Sequence, residues 1–225
     1  MMNLLYINSC DSTQKYLLEH LDTLNNTLVY TFYQTNGIGS RGNNWIGKKN
    51  NLFFSFVVDK SDLPTDLPIQ SASIYFSYLF KMVLEELGSK VYIKWPNDFY
   101  IIQDNYSKKI GGTITTFKRD KLICGIGVNT NTTPVNSNDK FGKLDIDIDK
   151  KQALEQLIKY ISKKLLWKDV FNKFSVEFHK HKNDTFTYTF IENGITKNLK
   201  VSLSQATLNN DGSINYLGKT IINSR

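Results

Sequence analysis

Cysteine and histidine are scarce in this sequence, and their scarcity argues against two classes of protein. Two cysteines and three histidines occur among the 225 residues, whereas small secreted domains stapled by disulfides carry many cysteines. Cys10 and Cys124 lie far apart and share no metal-ligand spacing with the histidines. The pair His179 and His181 is more typical of a solvated helix end than of a metal site. We therefore expect reduced thiols and no metal site built from cysteine and histidine.

Long apolar runs and a basic leader segment are also missing. No stretch reaches the roughly 20 apolar residues that a membrane-spanning helix needs. The N-terminal segment, MMNLLYINSCDSTQ, has no basic start and no long apolar core, so it is not a signal peptide. The sequence predicts a soluble cytoplasmic protein with no membrane partner.

The composition is that of a globular protein with a modest excess of positive charge. Hydrophobic residues make up 40% of the sequence and aromatic residues 13%, which is enough for one sizeable core and a small second domain. The formal net charge is +7, but the lysines are scattered rather than run together. Such a balance suits anionic ligands or an acidic partner, and it suits a solvated surface equally well.

Apolar periodicity predicts strands and helices over most of the chain. The cluster Asp11-Ser12-Thr13 precedes an amphipathic segment and is typical of a helix N-cap. Helical spacing predicts one helix over Ile69–Leu87, ended by Gly88, and a long helical region over Lys150–Phe178. Runs of β-forming residues predict strands at Thr27–Gln34, Asn51–Val58, Val91–Trp95, Phe99–Ile102, Ile110–Phe117 and Leu122–Asn129, with a turn at Asp104–Ser107.

The pattern changes after His181, where short β-forming segments alternate with turn sequences. These segments are Phe186–Ile191, Lys200–Leu208, Ser213–Tyr216 and Thr220–Ile222. They predict a small β barrel or half barrel, and they place a domain boundary near His181–Thr185.

The first segment that can carry chemistry is the glycine-rich loop Gln34–Trp45. Its glycines let the backbone approach a ligand closely and point N–H groups at an anion. Arg41 adds a guanidinium suited to carboxylate or phosphate, and Trp45 offers an apolar wall. The loop lacks the strand and helix context of a dinucleotide fingerprint and the Gly-Lys-Ser/Thr of a P-loop. On spacing alone, an ordinary surface loop is an equally good interpretation.

Two further segments place glycines beside polar side chains. Lys94–Asp98 reads Lys-Trp-Pro-Asn-Asp, a rigid turn after a strand, and Lys109 precedes a strand that starts Ile-Gly-Gly. Paired glycines leave room above the backbone for a flat ligand, and a lysine there would neutralise a carboxylate or phosphate. Gly125–Asn131 combines small and β-branched residues with asparagines at the strand end. An exposed hairpin and a plain buried strand are the alternatives.

Together these segments resemble the biotin–protein ligase family. The family pattern has an early Ser-Thr pair, a glycine- and arginine-rich loop ending in Trp, a Lys-Trp-Pro-Asn-Asp turn, a Lys-(Leu/Ile)-(Ala/Gly)-Gly strand and a Gly-x-Gly-(Ile/Val)-Asn strand. All five occur here in that order, at Ser12-Thr13, Gly37–Trp45, Lys94–Asp98, Lys109–Gly112 and Gly125–Asn129. The resemblance covers residues 8–131 closely and the rest by architecture.

The resemblance implies a fold and an activity. The fold is α+β, with a mixed-sheet catalytic domain of the biotin/lipoate ligase type and helices packed on it over residues 1–181, and a small SH3-like β domain over residues 182–225. The activity is ATP- and Mg²⁺-dependent formation of biotinyl-5′-AMP from biotin, followed by transfer of biotin to a lysine of a biotin carboxyl carrier protein or domain of a carboxylase. Because the chain begins directly at the catalytic segment, we expect no DNA binding and no repressor activity. Whether it is a monomer or a homodimer stays open.

The resemblance also assigns roles to single residues. For biotin it implies contacts by Ser12, Thr13, Gln34, Gly37, Ile38, Gly39, Ser40, Arg41, Lys109, Gly111, Gly112, Gly125 and Gly127. For ATP it implies Trp45, Lys94, Asn97, Asn129 and Asn131, and for Mg²⁺ it implies Asp98 and Asn129. Lys109, Arg41 and Asp98 are the implied catalytic residues.

One departure and two alternatives accompany this interpretation. The family loop usually carries Arg where Ile38 stands and often a second Arg at Ser40, so weaker activation of biotin is expected here. The nearest alternative is a lipoate or octanoate ligase or transferase of the same fold, and a transferase would need a reactive cysteine. The alternative from another class is a basic nucleic-acid-binding module that uses the C-terminal aromatic residues.

Overall fold

The computed structural model describes residues 2–39, 44–45, 47–132, 140–181, 184–192 and 195–222. Its helices are α1 Thr13–Glu19, α2 Ala72–Glu86, α3 Lys150–Ser162 and α4 Trp167–Lys180. Its strands are β1 Asn3–Tyr6, β2 Thr27–Thr31, β3 Gly37–Ile38, β4 Asn44–Trp45, β5 Leu52–Asp59, β6 Tyr92–Lys94, β7 Asp98–Gln103, β8 Tyr106–Lys118, β9 Lys121–Val128, β10 Thr185–Glu192, β11 Ile195–Ser202, β12 Thr207–Leu208, β13 Ile214–Tyr216 and β14 Lys219–Ile221.

The central element is a seven-stranded sheet in the order β1-β2-β5-β9-β8-β7-β6. Only β1 and β2 pair in parallel, and the other neighbours pair antiparallel. Asp104 and Asn105, both with positive φ, make the tight turn between β7 and β8 that the sequence predicts. The predicted α+β class with a mixed sheet is confirmed.

One face of the sheet carries the main hydrophobic core. The rings of Phe54 and Phe56 on β5 meet Phe80 and Phe76 on α2 edge-on, each pair with centroids 5.0 Å apart. Aromatic pairs in this geometry stabilise beyond the area that they bury. Cys124, in the middle of β9, is fully buried on this face, as the sequence predicts. Helices α2, α3 and α4 all contribute buried residues to the same cluster.

The opposite face of the sheet is only partly covered, by α1. Ser12 caps this helix, because its hydroxyl accepts from the backbone N–H of Lys15 at 3.4 Å. The buried residues of α1 form a small separate cluster with the sheet, which consists of Leu17, Leu21, Val29, Val57 and Ile123. Beyond this cluster β9 continues with Gly125 and Gly127 on the same face, next to the N-terminal end of α1.

The predicted long helical region is two helices rather than one. The chain breaks between α3 and α4 at Lys164, whose φ is +47°. Helix α4 then starts where the carboxylate of Asp66 accepts from the backbone N–H groups of Trp167 and Lys168 at 2.8 and 3.1 Å. A carboxylate from a distant loop thus caps a new helix, and helical periodicity alone does not contain that information.

The C-terminal segment forms two small sheets, the hairpin β10–β11 and the three strands β12-β13-β14. They are consistent with an SH3-like domain, although the predicted strand Lys200–Leu208 is interrupted by a 3-10 turn at Leu203–Gln205. The indole N–H groups of Trp95 and Trp167 donate to the carbonyls of Gly212 and Asn210 at 2.8 and 2.9 Å. The buried residues Val201, Leu203, Ile214, Tyr216 and Ile221 belong to the main core. A division into two domains therefore stays a prediction.

In the described part of the chain, no helix is both long and apolar enough to cross a membrane.

Candidate active site

Three glycines on two adjacent strands leave a strip of the sheet's open face without side chains of its own. Gly112 on β8 lies directly opposite Gly127 on β9. In the same row across the sheet, Asp98 on β7 flanks Gly112 and Phe53 on β5 flanks Gly127. Because side chains alternate between faces along a strand, Gly125 lies on the same face as Gly127. We call Gly112, Gly125 and Gly127 the glycine strip.

The space above the glycine strip is bounded by polar and aromatic side chains. A Cβ on Gly125 would lie 2.5 Å from the Oε1 of Gln14, and one on Gly112 would lie 2.9 Å from the Oδ1 of Asp98. A Cβ on Gly127 would lie 3.3 Å from the indole of Trp45. The strip is thus a floor over which three different side chains already reach, and a ligand would lie among them.

The structure places Gly111 differently from the sequence prediction, which assigned it to the biotin floor. A Cβ at this position would lie 2.6 Å from the carbonyl oxygen of Gly127 and 3.0 Å from the ring of Phe99. The register of β7 against β8 shifts between Phe99 and Tyr100, which leaves Ile110 as an extra residue. Gly111 therefore packs against the core side of the sheet, where the close backbone requires glycine.

A polar cluster closes the α1 end of the strip. The backbone N–H of Thr13 and its hydroxyl both donate to the Oε1 of Gln34, at 2.8 and 3.1 Å. The Thr13 hydroxyl also lies 2.8 Å from the hydroxyl of Ser55 on β5. All three side chains are buried. The structure thus brings the predicted Thr13 and Gln34 together with Ser55, which sequence reasoning missed.

Gln14 is a second residue that sequence reasoning missed. Its side-chain nitrogen donates to the carbonyl of Ile123 at 3.2 Å and to the hydroxyl of Thr116 at 3.4 Å. Its Oε1 is buried and has no hydrogen-bond partner among the described residues. A buried acceptor without a partner costs free energy, so this atom marks a place where a donor from a ligand fits. The available signal was its position directly after the Ser12-Thr13 pair.

The other end of the strip is cationic. The Nζ of Lys109 lies 2.7 Å from the Oδ1 of Asp98 and 6.0 Å from the centroid of the Trp45 ring. The backbone of Lys109 is held by Lys140 and Gly142, since its N–H donates to the first at 3.0 Å and its carbonyl accepts from the second at 2.9 Å. An ammonium fixed at both its backbone and its tip is preorganised to face an incoming anion.

A second lysine lies nearby on the edge strand β6. The Nζ of Lys94 lies 4.9 Å from the centroid of the Tyr100 ring and 3.9 Å from a carboxylate oxygen of Asp184. Burial, together with the nearby Asp98 carboxylate, raises the pKa of Tyr100, so the phenol stays neutral. The predicted Lys94, Asp98 and Lys109 therefore share one end of the site.

The glycine-rich loop is described only in part. Its two short strands pair Gly37 with Trp45 and Ile38 with Asn44, and a Cβ on Gly37 would lie 2.9 Å from the amide nitrogen of Gln34. The loop thus folds back onto the polar cluster and brings Trp45 over the strip. The indole N–H of Trp45 is buried without a partner among the described residues. Gly39 is buried, whereas Ser40 and Arg41 lie outside the described residues.

The asparagines predicted for the nucleotide use their amides within the protein. Asn97 donates to the carbonyl of Thr113. Asn129 is fully buried, donates to the carbonyl of Gly142 at 3.1 Å and accepts from Asn51 at 3.1 Å. The side-chain oxygen of Asn131 accepts from the neighbouring Thr130 hydroxyl at 2.9 Å. The structure thus gives these residues a role in holding loops that border the site.

The predicted Mg²⁺ ligands do not fit a metal site built by the protein. The only side-chain oxygen of Asn129 already accepts from Asn51, and Asp98 is paired with Lys109. Within the described ranges, no group of three or more histidine, cysteine or acidic side chains could hold a metal ion. Since Mg²⁺ is bound by several oxygen ligands, a paired carboxylate and an occupied amide are a poor donor set.

Neither cysteine is suited to nucleophilic catalysis. Burial, and then the neighbouring Asp11 carboxylate, raises the pKa of Cys10 to about 11. Burial alone raises the pKa of Cys124 well above its ordinary value. The thiolate is the reactive form, so both residues are inert at neutral pH.

The chain is similar to known proteins in sequence and in fold. Residues 6–131 match the model of the Biotin/lipoate A/B protein ligase family. The biotin acetyl coenzyme A carboxylase synthetase of Helicobacter pylori, solved with bound biotinylated ATP, is 38% identical with a TM-score of 0.84, over 99% of this chain and 100% of that one. The biotin protein ligase of Aquifex aeolicus in complex with biotin and ATP is 24% identical with a TM-score of 0.71, over 99% and 96%; this likeness shows the fold alone.

Similarity to curated sequences is more restricted. The bifunctional ligase/repressor BirA of Bacillus subtilis (strain 168) is 28% identical over 139 residues, which are 59% of this chain and 42% of that protein. The chain therefore spans less than half the length of this curated relative.

Proposed function

The chain belongs to the biotin/lipoate A/B protein ligase family, and from this premise we propose that it is an ATP-dependent biotin–protein ligase. In this proposal it forms biotinyl-5′-AMP from biotin and ATP, and it then transfers biotin to one lysine of a biotin carboxyl carrier protein or domain. The acceptor would be a biotin-dependent carboxylase such as acetyl-CoA carboxylase. The Helicobacter pylori relative, similar over 99% of this chain, supports this choice because it binds biotinylated ATP.

The observation that carries the proposal is the order of the chemical groups along the glycine strip, from a hydrogen-bond acceptor to a cation. One end offers the buried Oε1 of Gln14, an acceptor with no partner in the described part of the chain, and the hydroxyl of Ser55, both next to Gly125. The middle has a floor of glycines beneath the ring of Trp45, and the far end holds the ammonium of Lys109. Biotin has the same order, with a ureido ring that donates hydrogen bonds, a fused apolar thioether ring and alkyl chain, and a terminal carboxylate. Ligand sites are commonly of this kind, apolar with a few polar groups at defined places.

The first half-reaction brings two anions together. An oxygen of the biotin carboxylate attacks the α-phosphorus of ATP, the new C–O–P linkage forms, and the bond to the β-phosphate breaks to release pyrophosphate. Charge repulsion is the main obstacle, and fixed cations reduce it most where negative charge develops. Lys109 is our candidate for that role, with Lys94 beside it, and the family resemblance adds Arg41.

The second half-reaction uses the same end of the site. The amine of the acceptor lysine attacks the carbonyl carbon of the mixed anhydride, an amide bond forms and AMP leaves with the electron pair of the broken bond. The amine must be deprotonated first, and the carboxylate of Asp98 is our candidate for orienting it or accepting its proton. This route needs no covalent enzyme intermediate, which agrees with the raised pKa values of Cys10 and Cys124.

Particular residues argue against a transferase and against a nucleic-acid-binding module. A lipoate or octanoate transferase would need a reactive thiol, and both cysteines are poor thiolates. A nucleic-acid module would need exposed aromatic side chains in the C-terminal sheets. Instead, Phe186 packs against Trp95, and Tyr216 belongs to the main core. Because both cysteines are free, the proposal includes a cytoplasmic location, where thiols stay reduced.

The test is pyrophosphate release from ATP with biotin or with lipoate, in the wild type and in Lys109→Ala. We expect biotin-dependent release from the wild type, and a loss of about 100-fold or more in the variant because a fixed positive charge is removed. Lys108→Ala is the matched control, since Lys108 is the neighbour on β8 and pairs with Asp104 at 3.4 Å outside the site. Thermal unfolding checks that all three proteins fold alike.

Two outcomes would contradict the proposal. Release that depends on lipoate and not on biotin would move the protein to the other branch of its family. Wild-type rates in Lys109→Ala, with the same rates in Lys108→Ala, would show that the cationic end of the strip lies elsewhere.

A further inference from the structure

The ammonium of Lys94 lies between the catalytic sheet and the start of the C-terminal hairpin. It sits over the ring of Tyr100, 4.9 Å from its centroid, and 3.9 Å from the Oδ2 of Asp184. The Lys94 side chain is 14% exposed and the Asp184 side chain 23%. Both side chains are thus largely shielded from solvent, so the ring and the carboxylate are close neighbours of this charge.

Asp184 is fixed by its backbone rather than by hydrogen bonds of its side chain. Its N–H donates to the carbonyl of His181 at 3.2 Å, and its carbonyl accepts from the N–H of Leu203 at 3.0 Å. The ring of His181 in turn stacks on Tyr92 of β6, with centroids 3.7 Å apart. The Oδ2 of Asp184 is buried and makes no hydrogen bond within the described ranges. Among the described lysines and arginines, Lys94 is the one within ion-pair distance of this carboxylate.

Lys94 also belongs to the row that forms the site. It pairs in register with Asp98, which pairs with Gly112 of the glycine strip. Each of the two lysines at this end thus faces a carboxylate, Lys109 at 2.7 Å and Lys94 at the longer 3.9 Å. The longer pair leaves the ammonium of Lys94 without a direct hydrogen bond to its partner, so it can change partners more readily.

We propose that Asp184 is a positioning residue that sets the affinity for the nucleotide through Lys94. The carboxylate holds the ammonium at the polyphosphate side of the site in the free enzyme. When the triphosphate binds, its oxygens replace Asp184 as the partner of Lys94. The residue just before the C-terminal hairpin thereby competes with ATP for one charge of the catalytic sheet. The inference rests on the proposed function, since it assumes that this end of the site receives ATP.

The test is a double-mutant cycle read by calorimetric ATP binding and by separate KM values for ATP and biotin. Lys94→Gln should weaken ATP binding about tenfold or more, the cost of one charge-assisted hydrogen bond. Asp184→Asn keeps the shape and removes the competing charge, so ATP should bind about two- to fivefold more tightly, as expected for a partly exposed pair. The double variant should equal Lys94→Gln, because Asp184 acts only through that lysine. The KM for biotin should stay the same in all of them.

Two controls separate positioning from a structural role. Asp184→Glu keeps the charge and should restore wild-type ATP affinity. Asp62→Asn removes a carboxylate whose partner is Lys164, at 2.8 Å in a surface pair, and it should leave ATP affinity unchanged. If Asp184→Asn changes only the melting temperature, or if its effect adds to that of Lys94→Gln, the inference is overturned. A wild type that binds ATP but releases no pyrophosphate with biotin would instead contradict the proposed function.

Discussion

Gly111 and Gly112 are neighbours in sequence, yet alanine at each position should fail for a different reason. A Cβ on Gly111 would point to the core side, 2.6 Å from the carbonyl oxygen of Gly127 and 2.9 Å from the side chain of Val128. A Cβ on Gly112 would point to the open face, 2.9 Å from the Oδ1 of Asp98 and 3.8 Å from Lys109. Neither glycine has a positive φ, so alanine itself is compatible with both backbones.

The magnitudes follow from what each Cβ meets. Gly111→Ala collides with backbone, which cannot rotate away, so we expect an overpacking cost of about 1–3 kcal/mol. For a protein of this size each kcal/mol lowers Tm by about 2–4 °C, so the loss in Tm should be about 2–12 °C. Gly112→Ala meets the tip of Asp98, which can turn aside, so its stability should stay within about 0.5 kcal/mol of the wild type. The displaced carboxylate would release Lys109 from its 2.7 Å pair.

The readouts are thermal unfolding and pyrophosphate release with biotin and ATP. We expect Gly112→Ala to keep its Tm and to lose about 10- to 100-fold in kcat/KM, because a misplaced cation no longer faces the reacting groups. Gly111→Ala should have a lower Tm, while the molecules that stay folded remain active. The reasoning would be refuted if Gly112→Ala kept full activity, or if it were the less stable of the two.

Three further predictions concern two ionisable groups away from the glycine strip and one position in the glycine-rich loop. Glu177→Gln removes the interhelical partner of the buried ammonium of Lys81, which keeps Glu85 as a second partner at 2.8 Å, so urea denaturation should show a loss of about 1–3 kcal/mol, and unchanged stability would contradict a desolvated pair. Desolvation lowers the pKa of His181, so the folded state disfavours the protonated ring, and the wild type should lose stability as pH falls from about 6.5 through this lowered value. His181→Phe keeps a ring against Tyr92 and should flatten the dependence of Tm on pH, whereas an equal loss in both proteins would show that other groups cause it. Ile38→Arg restores a guanidinium common in the family loop and should speed or tighten adenylate formation; unchanged kinetics would mean that this position does not contact the ligand.

The fold was largely accessible from the sequence because its sheet follows simple patterns. The run Asn51–Val58 and the alternation in Leu122–Asn129 predict strands, and the structure has β5 and β9 there. The Asp104-Asn105 turn was equally readable, since both residues tolerate positive φ. Local chemistry determines each of these features, so one segment at a time is enough to predict them.

Features determined by distant residues were not accessible. The break at Lys164 depends on the carboxylate of Asp66, about a hundred positions earlier, which caps α4. The outward direction of Gly112 and the inward direction of Gly111 depend on the register shift opposite Phe99 and Tyr100. Alternation predicts that two neighbouring residues face opposite sides, but only the pairing decides which of them faces the ligand.

The candidate site divides in the same way. The sequence predicted Lys109, Asp98 and the glycine strip because these residues belong to the five motifs. They lie on strands, where spacing along the chain determines which residues share a face. Gln14 and Ser55 could be assigned to the site only from the structure, in which α1 packs against β5. The buried Oε1 of Gln14 has no hydrogen-bond partner among the described residues. The amide of Asn129 looked free in the sequence, but the fold uses it to hold the segment around Gly142.

Pairing each lysine with a carboxylate settles a conflict between stability and catalysis at this end of the sheet. An isolated ammonium among buried side chains would be costly to desolvate, whereas a carboxylate nearby offsets that cost before any ligand arrives. The pair Lys109–Asp98 is close, and Asp98 lies in the row of the strip, so in the reaction that we propose the same carboxylate would be available when the acceptor amine must lose a proton. The pair Lys94–Asp184 is looser and joins two parts of the fold. On this argument the close pair serves chemistry that stays in place, and the loose pair serves a ligand that must enter and leave in every cycle.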